Sequence, residues 1–244
     1  MVDVARLVPK FVITLAVLTG RVSLLLFLVF LFAGSLNVVR LGFSDTAVLV
    51  WDGGVLSILF FVQHSAMIRR SFRSRLAEIL PSFYHGAVFT IVSGIVLTAL
   101  VLTWQSSAVV LHEFHGPARW LLRAIFCLGL AVFVWGMYTL RSLKSFDLFG
   151  LRAVVAHMRG RQLEPPKFAV RGPYVYVRHP LYLAVLLLIW SCPDVTADRL
   201  LFNVLWTAWI YVATIWEEAD LVKDFGASYR EYQRRVPMLI PWPT

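Results

Sequence analysis

RGPYVYVRHPLYLAVLLLIWSCPD, residues 171–194, is the stretch whose reading decides the fold. Its first twelve residues crowd together one glycine, two prolines, three tyrosines, two arginines and a histidine. Residues 181–190 are then wholly apolar, but as a helix they reach only about 15 Å. Crossing the hydrocarbon takes about 20 apolar residues. Ser191-Cys192-Pro193-Asp194 ends the run, and residues 200–221 resume it at full length. The pattern predicts a helical hairpin with one short arm. A short arm draws the polar cluster before it to the membrane boundary.

Working outward, the rest of the chain agrees. Of 244 residues, 59% are hydrophobic and only 15% charged, with mean hydropathy +0.73. Soluble domains carry about 25% charged residues. Apolar runs at residues 22–39, 46–67, 84–104 and 117–140 read as four transmembrane helices. Residues 1–20 either lie along the interface or extend the first helix, with no cleavable signal pattern. The expectation is an all-α integral membrane fold: four transmembrane helices and a C-terminal hairpin, five to six spans in all. It forms one integrated domain with a front part, 1–140, and a back part, 141–244.

Basic residues outnumber acidic ones, 23 to 14, and their placement gives orientation rather than nucleic-acid binding. With the N-terminus inside, every Lys and Arg falls inside except Arg40, Arg119, Arg123 and Arg199. Both termini are therefore expected on the cytoplasmic side. Arg40, Arg119 and Arg199 read as anchors at the outer boundary. Cys127 and Cys192 have no CxxC partner, so no disulfide frame and no metal site is expected. His112 and His115 have a metal-like spacing but no third ligand nearby, and read as a surface loop.

Several residues could carry chemistry. Gly172-Pro173-Tyr174 is a turn signal. Pro180 suits a first helical turn, which leaves His179 beside unpaired N–H groups at a positive dipole end. Tyr182, three residues on, shares its face. Glu217–Glu218 lies near the inner end of an apolar helix, where a carboxylate is costly and is read as functional, or else as paired with Arg178 or Arg234. Asp147 could be a base, a substrate contact or a helix cap. Gln63 and His64, at the inner end of the second span, suit either a cavity or bundle packing.

The order GPYVYVRHPLY, a broken hairpin, EEADL and FGASYREYQRRVPMLIP resembles the isoprenylcysteine carboxyl methyltransferase-like integral membrane methyltransferases over about residues 165–241. That resemblance implies S-adenosylmethionine (SAM) as cofactor. It implies a pocket including Tyr174, His179, Pro180, Leu181, Tyr182 and Glu217, with Lys167 and Phe168 beside the adenosine. FFVQHSAMIRRSFRSRL and SFDLFGLR are similar to the methanethiol S-methyltransferase and NnrU-like branch. Carboxyl-methylating relatives have an arginine where this chain has Ala213, and methanethiol-type relatives often have Asn-His where it has Lys144-Ser145.

The resemblance implies SAM-dependent methyl transfer to a small or hydrophobic thiol, most simply methanethiol to dimethyl sulfide. The alternatives are another acceptor, such as a prenylcysteine carboxylate or a lipid, and a non-enzymatic accessory protein. Residues 1–140 would shape acceptor access and 141–244 would hold the cofactor. His64 or Asp147 is the candidate catalytic base, and Gln63 and His64 the candidate acceptor contacts. The expected setting is a bacterial inner membrane, with the cofactor site facing the cytoplasm, membrane lipid around the helices, and neither metal nor nucleic acid as partner.

Overall fold

The computed structural model describes residues 4–143, 147–163 and 168–241, with side chains from residue 7. Lys144, Ser145, Pro166 and Lys167 fall outside the described residues. Among the described residues, five helices are long and apolar enough to cross a membrane: Leu7–Ala33, Asp45–Ile68, Ser82–Thr103, Gly116–Ser142 and Ala197–Phe225. Pro180–Trp190 is apolar but shorter.

The chain divides into two compact units. The first comprises Met1–Phe30, Ser35–Ser106 and Asp147–Pro165. Helix α1, Val4–Ala33, takes in the residues before position 20, so the first span is extended rather than preceded by an interfacial segment, and it stops six residues before the predicted 39. Lys10 and Arg21 sit exposed within it, where long basic side chains can reach the polar boundary along an apolar helix. The helix ends because Gly34 and Asn37 take positive φ, +88° and +50°.

The second long helix is composite. It runs α2 (Asp45–Leu49), a π-helical stretch (Val50–Ser57) and α3 (Ile58–Ile68). Ser44 Oγ caps its start by accepting from Ala47 N–H. Within the wide turn Asp52 is fully buried, and its Oδ1 accepts from Gln105 N–H at 3.0 Å. Helix α4 (Arg70–Leu76) is short and exposes Arg73 and Arg75. Helix α5 (His85–Thr103) packs against α1, where Gly94 lies on the Thr19 backbone. Gly150, at φ +65°, closes on Gly86 so tightly that a β-carbon there would lie 2.0 Å from the Gly86 carbonyl carbon. This contact seats the turn at Asp147–Gly150 on α5.

The second unit comprises Leu31–Gly34, Ser107–Phe146 and Pro166–Thr244. Strand β1 (Val110–Glu113) leads into α6 (Gly116–Ser142). The expected surface loop at His112 is thus a strand, and its exposed face keeps His112 and Glu113 at the surface. Helix α7 (Arg152–Met158) belongs to the first unit. Helix α8 (Pro180–Trp190) is the short arm and packs along α6, with Leu181 lying over Gly136. Strand β2 (Asp194–Thr196) pairs antiparallel with β1, and α9 (Ala197–Phe225) and α10 (Ala227–Arg235) complete the unit.

The arginines at the hairpin bend correct one expectation. Arg199 is only 2% exposed and donates to Leu31 O at 2.8 Å and Ile189 O at 3.3 Å, so it closes carbonyls near the ends of α1 and α8 rather than facing solvent. Arg119 forms a two-pronged pair with Asp194 at 2.7 and 2.8 Å.

Candidate active site

Pro180 begins α8, as its fixed φ and missing N–H allow, and His179 is the residue just before the helix. Pro180 is itself fully buried. His179 and Tyr182, one turn apart, stack at 5.6 Å with an interplanar angle of 13°. The sequence reading brought these two together with Glu217, and so does the structure. Tyr182 Oη donates to Glu217 Oε2 at 2.6 Å, and His179 Nδ1 lies 3.9 Å from the same oxygen.

Tyr174 lies in a 3₁₀ turn, Gly172–Val175. Gly172 takes φ +57°, and a β-carbon there would fall 2.3 Å from Thr139 Oγ1, so only glycine lets this turn sit on α6. Tyr232 Oη donates to Tyr174 O at 2.5 Å. Phe168 packs its ring against Phe225, Tyr229 and Tyr232. Burial, with the charge of Glu217 adding to it, pushes the Tyr174 phenol above its ordinary range. Burial does the same for Tyr229 and Tyr232. All three therefore stay neutral O–H donors.

Sequence reasoning missed how the two glutamates divide. Glu218, not Glu217, is the hub of a buried network. It accepts from Arg178 through Nε at 2.5 Å and Nη2 at 2.9 Å, and from Gln233 Nε2 at 2.9 Å. Tyr229 Oη at 3.3 Å and His179 Nε2 at 3.1 Å complete it. The paired reading held for Glu218 with Arg178; Arg234 pairs instead with Glu231. The signal for the missed partners was the spacing Tyr229, Tyr232, Gln233 on one face of an amphipathic helix.

The remaining candidates lie in the first unit. Asp147 Oδ2 accepts from Arg152 N–H at 2.5 Å and its carbonyl from Gly150 N–H at 3.2 Å, the geometry of a cap at the start of α7. His64 is held between Phe60 and Phe89, with ring centroids 5.1 and 4.9 Å away. Gln63 Nε2 donates to Ser93 Oγ at 3.1 Å and contacts Met67 Sδ at 3.0 Å. Gln63 Oε1 and His64 Nδ1 are buried without a hydrogen-bond partner. Among the described residues no cluster of three His, Cys, Asp or Glu could hold a metal.

As a receptor for SAM, the second-unit cluster has suitable groups. Glu217 is 45% exposed at its side chain and keeps acceptor capacity for hydroxyl or ammonium groups. The α8 N-terminus has no side-chain cap, and helix starts favour a carboxylate. The tyrosines and Phe168 supply flat apolar surface.

The chain is 37% identical over 187 residues to "Methanethiol S-methyltransferase 2" of Bradyrhizobium diazoefficiens, covering 77% of this chain and 71% of that one. To "Methanethiol S-methyltransferase" of Mycobacterium tuberculosis it is 32% identical over 239 residues, 94% and 97% of the two chains. "Nurim" of Rattus norvegicus is more distant, 28% identical over 196 residues. No family model and no solved structure matches. With two such relatives aligned over most of its length, the chain belongs to the methanethiol S-methyltransferase family of membrane proteins.

Proposed function

We propose that the protein is an SAM-dependent methyltransferase that converts methanethiol to dimethyl sulfide. The observation that carries the reading is the alignment with proteins of that name over 77% to 94% of the chain. The cluster of His179, Tyr182 and Glu217 supports it, and Ala213 favours a thiol over a carboxylate acceptor.

The cofactor supplies a methyl group activated on a sulfonium. When bound, it would give that methyl group to the acceptor's sulfur and keep the electron pair of the carbon–sulfur bond it loses. A thiol reacts as its thiolate, so its proton must leave to a base or to water. The chain's own contribution is alignment and exclusion of water. His179, Tyr182 and Glu217 orient the cofactor; Tyr174 and Phe168, with Pro180 and Leu181 behind the helix start, shape its apolar walls. We assign acceptor binding and proton removal to Gln63 and His64, which lie side by side in one helix turn and whose Oε1 and Nδ1 are buried without a hydrogen-bond partner. Asp147, already capping α7, is the weaker base. In the same reading both termini and the cofactor site face the cytoplasm of a bacterial inner membrane.

Purified protein given SAM and methanethiol should release dimethyl sulfide, read in the headspace by gas chromatography. No product from methanethiol or larger thiols, with no SAM binding by calorimetry, would sink the reading. His64→Ala should raise the KM for methanethiol about 10-fold, the cost of one lost hydrogen bond at a buried site, and leave the SAM Kd unchanged. A fall in SAM affinity instead would move His64 to the cofactor's side of the reaction.

A further inference from the structure

Adjacent on α9, Glu217 and Glu218 point about 100° apart around the helix. The Glu217 side chain is 45% exposed and accepts one hydrogen bond, from Tyr182. The Glu218 side chain is 12% exposed and meets five donors from Arg178, His179, Tyr229 and Gln233. A carboxylate offers about four acceptor positions, so Glu218 has no capacity left for a ligand. Its work is on its neighbours.

Two neighbours matter. A carboxylate only accepts, so the His179 nitrogen facing it, Nε2, carries the hydrogen. In the neutral ring Nδ1 is then a lone-pair acceptor, 3.9 Å from Glu217 Oε2. Two acceptors at that separation can be bridged by one donor group. The second neighbour is Arg178. Its Nη1 donates to Gln233 O at 3.0 Å and Val236 O at 2.5 Å, while its N–H reaches Pro237 O at 2.9 Å. His179 N–H reaches Met238 O at 3.1 Å. The chain after α10 is thus strapped along the start of α8.

We propose that Glu218 is a positioning residue for cofactor binding: it holds the His179 proton on Nε2, so that His179 Nδ1 and Glu217 Oε2 together seat the ammonium group at the cofactor's amino-acid end, and through Arg178 it fixes the strap that keeps His179 in place. This rests on the reading of His179 and Glu217 as cofactor contacts.

The experiment uses full-length protein in detergent and two probes, S-adenosylhomocysteine and methylthioadenosine, which keeps the adenosine and sulfur but has no ammonium. Calorimetry on Glu218→Ala should find S-adenosylhomocysteine weakened about 10-fold, the scale of one charge-assisted hydrogen bond, with methylthioadenosine unchanged within about 2-fold. Glu218→Gln keeps the volume and covers failure of the alanine variant to fold; it should shift the same ratio in the same direction by less. Nitrogen-15 histidine spectra of the wild type should report His179 as the Nε2–H tautomer. Equal weakening of both probes, or an Nδ1–H tautomer in the wild type, overturns the role of Glu218. A wild type that binds neither probe overturns the cofactor reading, and this role with it.

Discussion

The two ends of α8 carry comparable loads of polar groups, and they dispose of them differently. At the C-terminal end Arg199 closes Ile189 O and Leu31 O, Asp194 takes Arg119, and Asp198 Oδ1 accepts from Ser107 N–H at 3.0 Å. Those groups are spent on one another and on helix carbonyls. At the N-terminal end Glu218 is equally spent, yet beside it Glu217 stands half-exposed with one bond. A helix of eleven residues leaves unpaired backbone groups at both ends, and in a membrane water does not satisfy them. Charge that only closes such groups is architecture. Charge in excess of that need, open to a ligand, is the mark of a site.

The difference can be broken from either side. The largest effect is expected at the N-terminal end: His179→Ala and Glu217→Ala should each cut dimethyl sulfide formation by about 100-fold, through loss of paired or charge-assisted contacts to the cofactor, with the melting temperature little changed for Glu217→Ala. Unaltered SAM affinity in both variants would erase the functional reading of this end. At the opposite end Arg199→Met keeps the volume but strands two carbonyls and unbalances buried Asp198. It should cost about 3 kcal/mol of stability, read by thermal unfolding in detergent, and leave the SAM Kd of the folded fraction as it was. A variant that melts normally but binds SAM poorly would reverse the assignment of the two ends.

Much of this contrast was legible in the sequence. Pro180 located the start of α8, the short apolar run fixed its length, and the His179–Tyr182 spacing put the two on one face. What was not legible had non-local causes. Lys10 and Arg21 left the start of α1 open between two readings, because hydropathy counts a charge as an interruption even when its stem lies along the helix. Asp52, in the π-helical turn, takes its hydrogen bond from Gln105 N–H, fifty-three residues away. The β1–β2 pairing joins Val110 to Thr196, and nothing within either short segment announces the other. Glu217 and Glu218 are the same residue type side by side. Only the return of residues 229–238 to the start of α8 tells which is consumed by structure and which is left for a ligand.

The smallest effect tests that return directly. Tyr232 Oη donates to Tyr174 O at 2.5 Å, tying α10 to the turn that carries Tyr174. Tyr232→Phe keeps the ring packing with Phe168 and Tyr229 and removes one neutral hydrogen bond, worth about 1 kcal/mol. If the tie only stabilises the fold, the loss appears in the melting temperature and the SAM Kd is unmoved. Because Tyr174 is held in place from the α10 side, the expectation is otherwise: SAM affinity should fall about 2- to 5-fold, with the methanethiol KM unchanged. That pattern would extend the ligand-facing end of α8 to the tail of the chain, and its absence would confine it to His179, Tyr182 and Glu217.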